Sequence, residues 1–356
     1  MPSYSVAFIG TGADPENPDS SGFAMAYAHA NGYRRLENCE LTACADIVPE
    51  NAAAFADRFD IPESHAFEDF RVMLEDVDPD IISVCVPPAL HADIVVEAAY
   101  EGDLDAIHCE KPMDLTWGGA KQMTTVCQRQ GVQLTFNHQR RFLPTWVRAR
   151  EVVDSGEIGD VQRIEMAPPN VFDWGTHTID FANQILGDVS PLWVMGEIDY
   201  REEQLFFGAH NENQAFGCWE YENGVHGMIS TGPGSSFVPS FIRVKGNEGI
   251  LDIEPEDDAD LRWRQYGDED WSRRTIDDTA GPGAISLGIQ DVVESLETGR
   301  RSELDAWNAL NATEIIFGIW ESARRRARVD FPLEIDDNPL ESMVETGALT
   351  PAATND

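Results

Sequence analysis

The feature that most constrains this chain is a rhythm: across residues 4–136, apolar runs of strand length alternate with segments of helical period. Strands are predicted at 4–10, 41–46, 81–86, 106–109 and 132–136, with helices between them at about 21–31, 49–59, 67–75, 89–100 and 117–130. Antiparallel neighbours can be joined by a short hairpin, whereas parallel strands need a long crossover, usually helical. Strand followed by helix, repeated, therefore predicts a doubly wound parallel sheet with helices on both faces.

After about residue 140 the rhythm changes. A helix is predicted at 143–154, a strand at 161–166 and a helix at 175–186. Strands at 191–198, 214–221, 225–231, 241–245 and 249–253 follow, joined by Gly, Asn and Asp turns of the antiparallel kind. Helices at 285–297 and 305–327 come last. The expected organisation is a nucleotide-binding α/β domain over 1–138 and an α+β domain with a large mixed or antiparallel sheet over 139–335. A C-terminal helix is free to return to the first domain, and 336–356 reads as a loosely held acidic tail.

The first predicted strand ends in Gly10-Thr11-Gly12, where two glycines permit a tight turn and close approach of main-chain N–H groups to a pyrophosphate. The second ends in Asp46, where a dinucleotide fold places the carboxylate that binds ribose hydroxyls; it would repel a 2′-phosphate, favouring NAD over NADP. Ile47 adjoins it. A pair of turn glycines and one surface aspartate is the simpler alternative. A third glycine is missing, because Ala13-Asp14-Pro15 follows, and Asp14, Glu16 and Asp19 are unfavourable beside phosphate. Either Ser20, Ser21 or Gly22 caps the pyrophosphate, or phosphate contact is weaker than usual. Val86-Pro87-Pro88 closes the next strand on the ligand-bearing edge, and His91 is either a ligand or a surface cap residue.

Charge excludes partners. With 64 acidic and 25 basic residues the net charge is -39, which repels nucleic acid and anionic membrane surfaces. The acidic runs 254–260 and 268–270 lack the spacing of a calcium loop and read as solvated surface. Abundant acid with scarce lysine resembles proteins of halophilic organisms, whose molar salt screens self-repulsion. Six cysteines show no CxxC pair and no His/Cys ligand spacing, so they read as buried thiols in a reducing compartment, with no metal site. Without a signal-like N-terminus or a long apolar stretch, the protein is expected in the cytoplasm.

Lys111 stands out in Cys109-Glu110-Lys111-Pro112, because the other lysines are only Lys121 and Lys245. A lysine amine can be tuned and exchange a proton, whereas arginine stays charged. A lysine kept at a strand end suggests a group that handles protons or polarises substrate; an ion pair with Glu110 is the alternative. A second cluster, Asp173 to Asp180, opens a predicted helix. If the helix includes position 173, Asp173 and His177 share a face, with Asp180 also near the imidazole. A histidine beside a carboxylate suits proton transfer near neutral pH, though a structural pair looks the same in sequence.

The ordered set of Gly10-x-Gly12, Pro87-Pro88-x-x-His91, Glu110-Lys111-Pro112, residues 137–142, Ser155-Gly156-Glu157-Ile158-Gly159 and Asp173-x-x-x-His177-x-x-Asp180 resembles the Gfo/Idh/MocA family of sugar oxidoreductases along nearly the whole chain. The resemblance implies a Rossmann domain and an α+β domain whose open sheet often makes homodimers or homotetramers. It implies that Lys111 contacts the reacting hydroxyl and the nicotinamide ribose, that His177 is the general acid/base, and that Asp173 orients substrate and histidine. Gly10, Thr11, Gly12, Asp46, Ile47, Pro87, Pro88, His91, Glu110, Lys111 and Arg140 would form the cofactor site. The activity expected is hydride transfer between a sugar, polyol or related hydroxy compound and nicotinamide C4. NAD-assisted glycoside cleavage is one alternative. A non-catalytic NAD sensor is another, although such a protein would be expected to lose the lysine or the histidine. Trp174, His210, Asn211, Asn213 and His226 either line a polar pocket or are merely solvated.

Overall fold

Near-continuous apolar runs such as Tyr4–Ile9 are buried on both faces, as strands of a parallel sheet must be. The computed structural model describes residues 3–16, 24–206, 208–255, 258–279 and 281–352. The chain forms two units, one of Met1–Asp114, Gly119–Gln139 and Pro282–Ala309, the other of Leu115–Gly118, Arg140–Gly281 and Leu310–Asp356.

The first unit runs β1 (Tyr4–Ile9), α1 (Met25–Tyr33), β2 (Cys39–Ala45), α2 (Pro49–Arg58), β3 (Ala66–Phe67), α3 (Phe70–Val77), β4 (Ile81–Val84), α4 (His91–Glu101), β5 (Ala106–Cys109), α5 (Trp117–Gln130) and β6 (Gln133–Phe136). All its strands are parallel, in the order β3-β2-β1-β4-β5-β6. The order reverses between β1 and β4, and the crevice beyond the strand ends at such a reversal is where dinucleotides bind in folds of this kind. Two-residue β3 was not anticipated; it is too short to carry a periodic signal. α1 begins at Met25, later than expected, and the proposed caps Ser20, Ser21 and Gly22 lie outside the described residues.

The second unit continues with α6 (Pro144–Asp154), β7 (Val161–Met166), α7 (Gly175–Ile185), β8 (Pro191–Asp199), β9 (Leu205–Phe206), β10 (Ala209–His210), β11 (Gln214–Tyr221), β12 (His226–Ser230), β13 (Ser240–Gly246), β14 (Gly249–Pro255), β15 (Leu261–Gln265) and β16 (Ser272–Arg274). Next comes α8 (Ala284–Thr298), which joins the first unit: Ile289 packs so closely on α1 that a Cβ at Gly32 would lie 2.5 Å from its Cδ1. The chain ends with α9 (Ala306–Arg325), β17 (Val329–Asp330) and α10 (Pro339–Glu345).

The second unit's sheet is mixed, in the order β16-β15-β14-β13-β7-β12-β11-β8-β17. Among the described strands of this sheet, only β7 and β12 pair in parallel. α9 covers one face, pressed so close that a Cβ at Gly196 or Gly217 would lie 2.8 Å from Ile319. The other face carries a cross-strand row of Met195, Cys218, Met228, Glu165, Arg243, Asp252 and Arg262. At its charged end Asp252 accepts from Arg243 Nε at 2.6 Å and from Arg262 Nε at 2.8 Å.

β15 lies between the two acidic runs read as solvated surface and β16 follows the second, and neither strand was anticipated. Leu261 and Trp263 point inward there, while Arg262 between them faces outward. The described part of the segment expected to be a loose tail, as far as Ala352, is tied down instead. Asn338 caps α10 by accepting from Leu340 N–H and Glu341 N–H, Asp337 pairs with Arg324 at 2.5 Å, and Ala352 exchanges main-chain hydrogen bonds with Arg201 and Glu203. Among the described residues no helix is long and apolar enough to cross a membrane.

Candidate active site

The glycine turn at the end of β1 needs its glycines. Gly10 and Gly12 hold φ of 81° and 67°, and a Cβ on Gly10 would stand 2.5 Å from Val86 Cγ1. Asp46, at the end of β2, is drawn into this turn. Its Oδ2 accepts from Gly12 N–H at 2.9 Å and from the Thr11 hydroxyl at 3.2 Å, and its Oδ1 accepts from Val48 N–H at 2.9 Å. Asn51 Nδ2 also donates to Oδ1, at 3.5 Å, so the carboxylate's acceptor positions, about four, are engaged and a ribose hydroxyl would take the place of this longest bond. Ile47 beside it is 84% exposed, an apolar surface of the kind a purine ring covers. Across the strand-order reversal, Pro87 is exposed and Pro88 buried. These residues fit the adenosine half of a dinucleotide. The Gly12 N–H already serves Asp46, so it is committed to the turn rather than to a phosphate.

Lys111 follows β5 on the same carboxyl-terminal edge of the sheet. Its main-chain N–H donates to Glu110 Oε2 at 3.1 Å, while Glu110 Oε1 lies 2.9 Å from His29 Nε2 and accepts from Asn137 Nδ2 at 2.7 Å. Glu110, His29 and Asn137 are all buried. Burial opposes charge on both members of the pair, yet it ionises. The Cys85 sulfur, 3.5 Å from Nδ1, and the Glu110 carboxylate push His29 up to about 10. In turn His29, Asn137 and Lys111 hold Glu110 down at about 2 against its own burial. His108, its ring 4.9 Å from that of His29, is pushed down to about 3 by burial and by His29, and stays neutral. Glu110 therefore supports the Lys111 main chain from within, rather than lining a cofactor surface.

His91 is corrected more sharply. It is fully buried, with Nε2 2.9 Å from Val86 O and Nδ1 3.0 Å from both Pro112 O and Met113 O. Burial pushes its pKa down. With both nitrogens facing main-chain carbonyls, the ring is a brace between the loops after β4 and β5, not a ligand contact.

In the second unit the turn before α7 is built around Asn170. Its Oδ1 accepts from Asp173 N–H at 2.9 Å and Trp174 N–H at 3.0 Å, and its carbonyl accepts from Gly175 N–H at 2.9 Å. Asp173 thus precedes the helix, and its relation to His177 is set by this turn rather than by helical spacing. Asp173 and His177 are 9% and 5% exposed. Arg140 lies over the Trp174 ring at 4.6 Å and the Trp146 ring at 5.5 Å; burial pushes its pKa down, against Glu254 and Asp173. Asp180 takes a bidentate grip from buried Arg141, with Nε at 2.7 Å and Nη2 at 2.8 Å.

The proposed polar pocket does not assemble. His210 Nδ1 lies 2.6 Å from the Tyr200 hydroxyl, and Asn213 Oδ1 accepts from Arg201 N–H and Glu202 N–H, closing its own loop. Asn211 is buried, its Nδ2 donating to Ala209 O at 3.2 Å. His226 lies against Trp193, ring to ring at 6.3 Å. Trp174, 38% exposed beside Arg140, is the one of the five that stays with the α7 cluster. Sequence reasoning passed over His29, whose partners are distant in the chain, and Asn170, whose signal was an Asn three residues before Asp173 able to form a side-chain turn.

Residues 5–138 match a family described as oxidoreductase family, NAD-binding Rossmann fold, and residues 165–331 match its C-terminal alpha/beta domain. An uncharacterized oxidoreductase, YrbE of Bacillus subtilis, is 28% identical over 184 residues, 47% of this chain; the match spans 53% of that relative. D-xylose 1-dehydrogenase (NADP(+)) 2 of Haloferax volcanii is 25% identical over 322 residues, covering 82% of this chain and 92% of that protein. The crystal structure of an inositol dehydrogenase homolog from Azotobacter vinelandii, complexed with NADH and myo-inositol, superposes with a TM-score of 0.72 at 18% identity, covering 93% of this chain and 98% of that one. That likeness is one of fold. With both family regions matched along most of its length, the chain belongs to the Gfo/Idh/MocA family of NAD(P)-dependent oxidoreductases.

Proposed function

We propose that this protein oxidises or reduces a sugar, polyol or related hydroxy compound, using NAD. Lys111 carries the reading: it stands on the ligand-bearing edge of the first sheet with its main chain fixed by the buried Glu110, His29 and Asn137 network. When bound, the nicotinamide supplies a hydride acceptor at C4. In the oxidative direction the substrate carbon loses a hydride, the hydroxyl proton passes to the His177 imidazole, and a carbonyl forms. The Lys111 ammonium stabilises the developing alkoxide, and Asp173 orients the substrate and His177. The xylose and inositol relatives support a hydroxy compound as substrate.

We propose in addition that copies associate through the uncovered face of the second unit's sheet, where Met195 and Phe216 are 50% and 42% exposed. The six free thiols fit work in the reducing cytoplasm.

The test is a screen of aldoses, polyols and inositols with NAD and NADP in molar KCl, on wild type, Lys111→Ala and His177→Ala. Each substitution is expected to lower kcat by about a hundredfold or more, the usual contribution of a positioned acid or base. Undiminished turnover in either variant removes the role assigned to that residue, and no nicotinamide reduction or oxidation with any compound removes the reading.

A further inference from the structure

Glu212 lies between β10 and β11, and its side chain is wholly buried. A carboxylate is expensive to bury unless charge-assisted hydrogen bonds compensate it. Besides its own main-chain N–H, three neutral donors converge on it, each from a different part of the fold. Val171 N–H, in the turn before α7, donates to Oε1 at 2.8 Å. The Thr231 hydroxyl, after β12, donates to Oε1 at 3.3 Å, and the indole N–H of Trp320 on α9 donates to Oε2 at 3.1 Å.

The match is to an ionised acid. The Thr231 hydroxyl already accepts from Ala215 N–H at 2.7 Å, which leaves its proton for Glu212. An ionised carboxylate only accepts, whereas an amide would turn an N–H toward one of these donors. Burial pushes Glu212 up to about 7, and its donors pull the other way. The titratable group facing it is the Tyr200 phenol, which Glu212 and Glu203 help to raise after burial, and which lies 2.6 Å from His210 Nδ1.

Val171 is one residue beyond Asn170, whose side chain and carbonyl hold Asp173, Trp174 and Gly175. The next side chain, Phe172, packs on Trp320 with ring centroids 5.7 Å apart. The carboxylate thus bolts the turn carrying Asp173, and the start of the helix carrying His177, to the sheet and to α9. We propose that Glu212 is the positioning residue of the 170–177 segment, fixing where Asp173 and His177 are presented. Its kinetic consequence rests on the hydride-transfer reading; its structural consequence does not.

The experiment compares wild type, Glu212→Gln, and Glu212→Gln combined with Trp320→Phe, at pH 8 in molar KCl. Amide hydrogen exchange over residues 168–176, NADH affinity, and kcat and KM for the best substrate are read together. Glu212→Gln is expected to speed exchange over 168–176 selectively, to lower kcat by about tenfold to a hundredfold as displaced catalytic groups do, and to leave NADH affinity unchanged. Adding Trp320→Phe removes the N–H that opposes the amide and is expected to restore part of kcat. Unchanged exchange over 168–176, or a loosening spread evenly over the second unit without recovery in the paired variant, overturns the proposal. If wild type turns over no hydroxy compound, the functional reading falls while the exchange comparison still decides the positioning claim. Should Glu212→Gln not fold, Thr231→Val removes one donor and carries the same comparison: faster exchange confined to 168–176 supports the proposal, and none overturns it.

Discussion

At the scale of single residues, the most consequential side chain for cofactor choice is Asp46. Its carboxylate does two things at once: it places a negative charge at the end of β2, and it holds Gly12 N–H and the Thr11 hydroxyl in the turn. Asp46→Asn removes the charge while its amide oxygen can still accept from Gly12, at the cost of an N–H turned toward Val48 N–H. The ratio of kcat/KM with NADP to that with NAD is expected to rise by about tenfold, equivalent to about 1.4 kcal/mol of relieved repulsion; an unchanged ratio would show that the charge does not select. The places of Lys111, Asp46 and the glycines at strand ends were legible because apolar periodicity locates those ends. The roles of Glu110 and His91 were not. Both sit in the right motif, yet their environments are made by His29, Asn137, Pro112 and Met113, which converge only when the sheet forms.

At the scale of elements, strand and helix order was readable almost throughout, with differences of a few residues at most ends. What escaped were the short pieces β3, β9, β10, β16 and β17, which no periodic window can detect, β15, hidden by its acidic flanks, and the seven-residue α10 in the segment read as a tail. Close packing between elements was equally silent. In Gly196, glycine marks where α9 presses on β8: an added Cβ would meet the Ile319 carbonyl oxygen at 2.8 Å and its Cα at 3.0 Å. Neither atom can swing aside as a side-chain tip would. Gly196→Ala is therefore expected to destabilise the fold by about 1–3 kcal/mol, as overpacking does, read as a lower midpoint in denaturant at fixed salt. An unaltered midpoint would mean that α9 shifts without resistance.

At the scale of the whole molecule, charge is the dominant fact. Ion pairs such as Asp252 with Arg243 and Arg262 engage basic residues locally, while 64 acidic against 25 basic residues leave an excess of -39. Self-repulsion on that scale weakens as the screening length falls from about 10 Å at 0.1 M salt to about 3 Å at 1 M. Thermal unfolding is expected to move to higher temperature from low to multimolar KCl, and identical curves would refute the halophilic reading. The division of the chain has a different kind of consequence. Because α8 belongs with α1, the first unit draws on residues 282–309, made long after its sheet. On the ribosome the nucleotide-binding half emerges first, but the surface around Gly32 stays bare until α8 has been synthesised. The order of translation and the order of completion are thus inverted: the first unit cannot be finished before residues 140–281 of the second have left the exit tunnel.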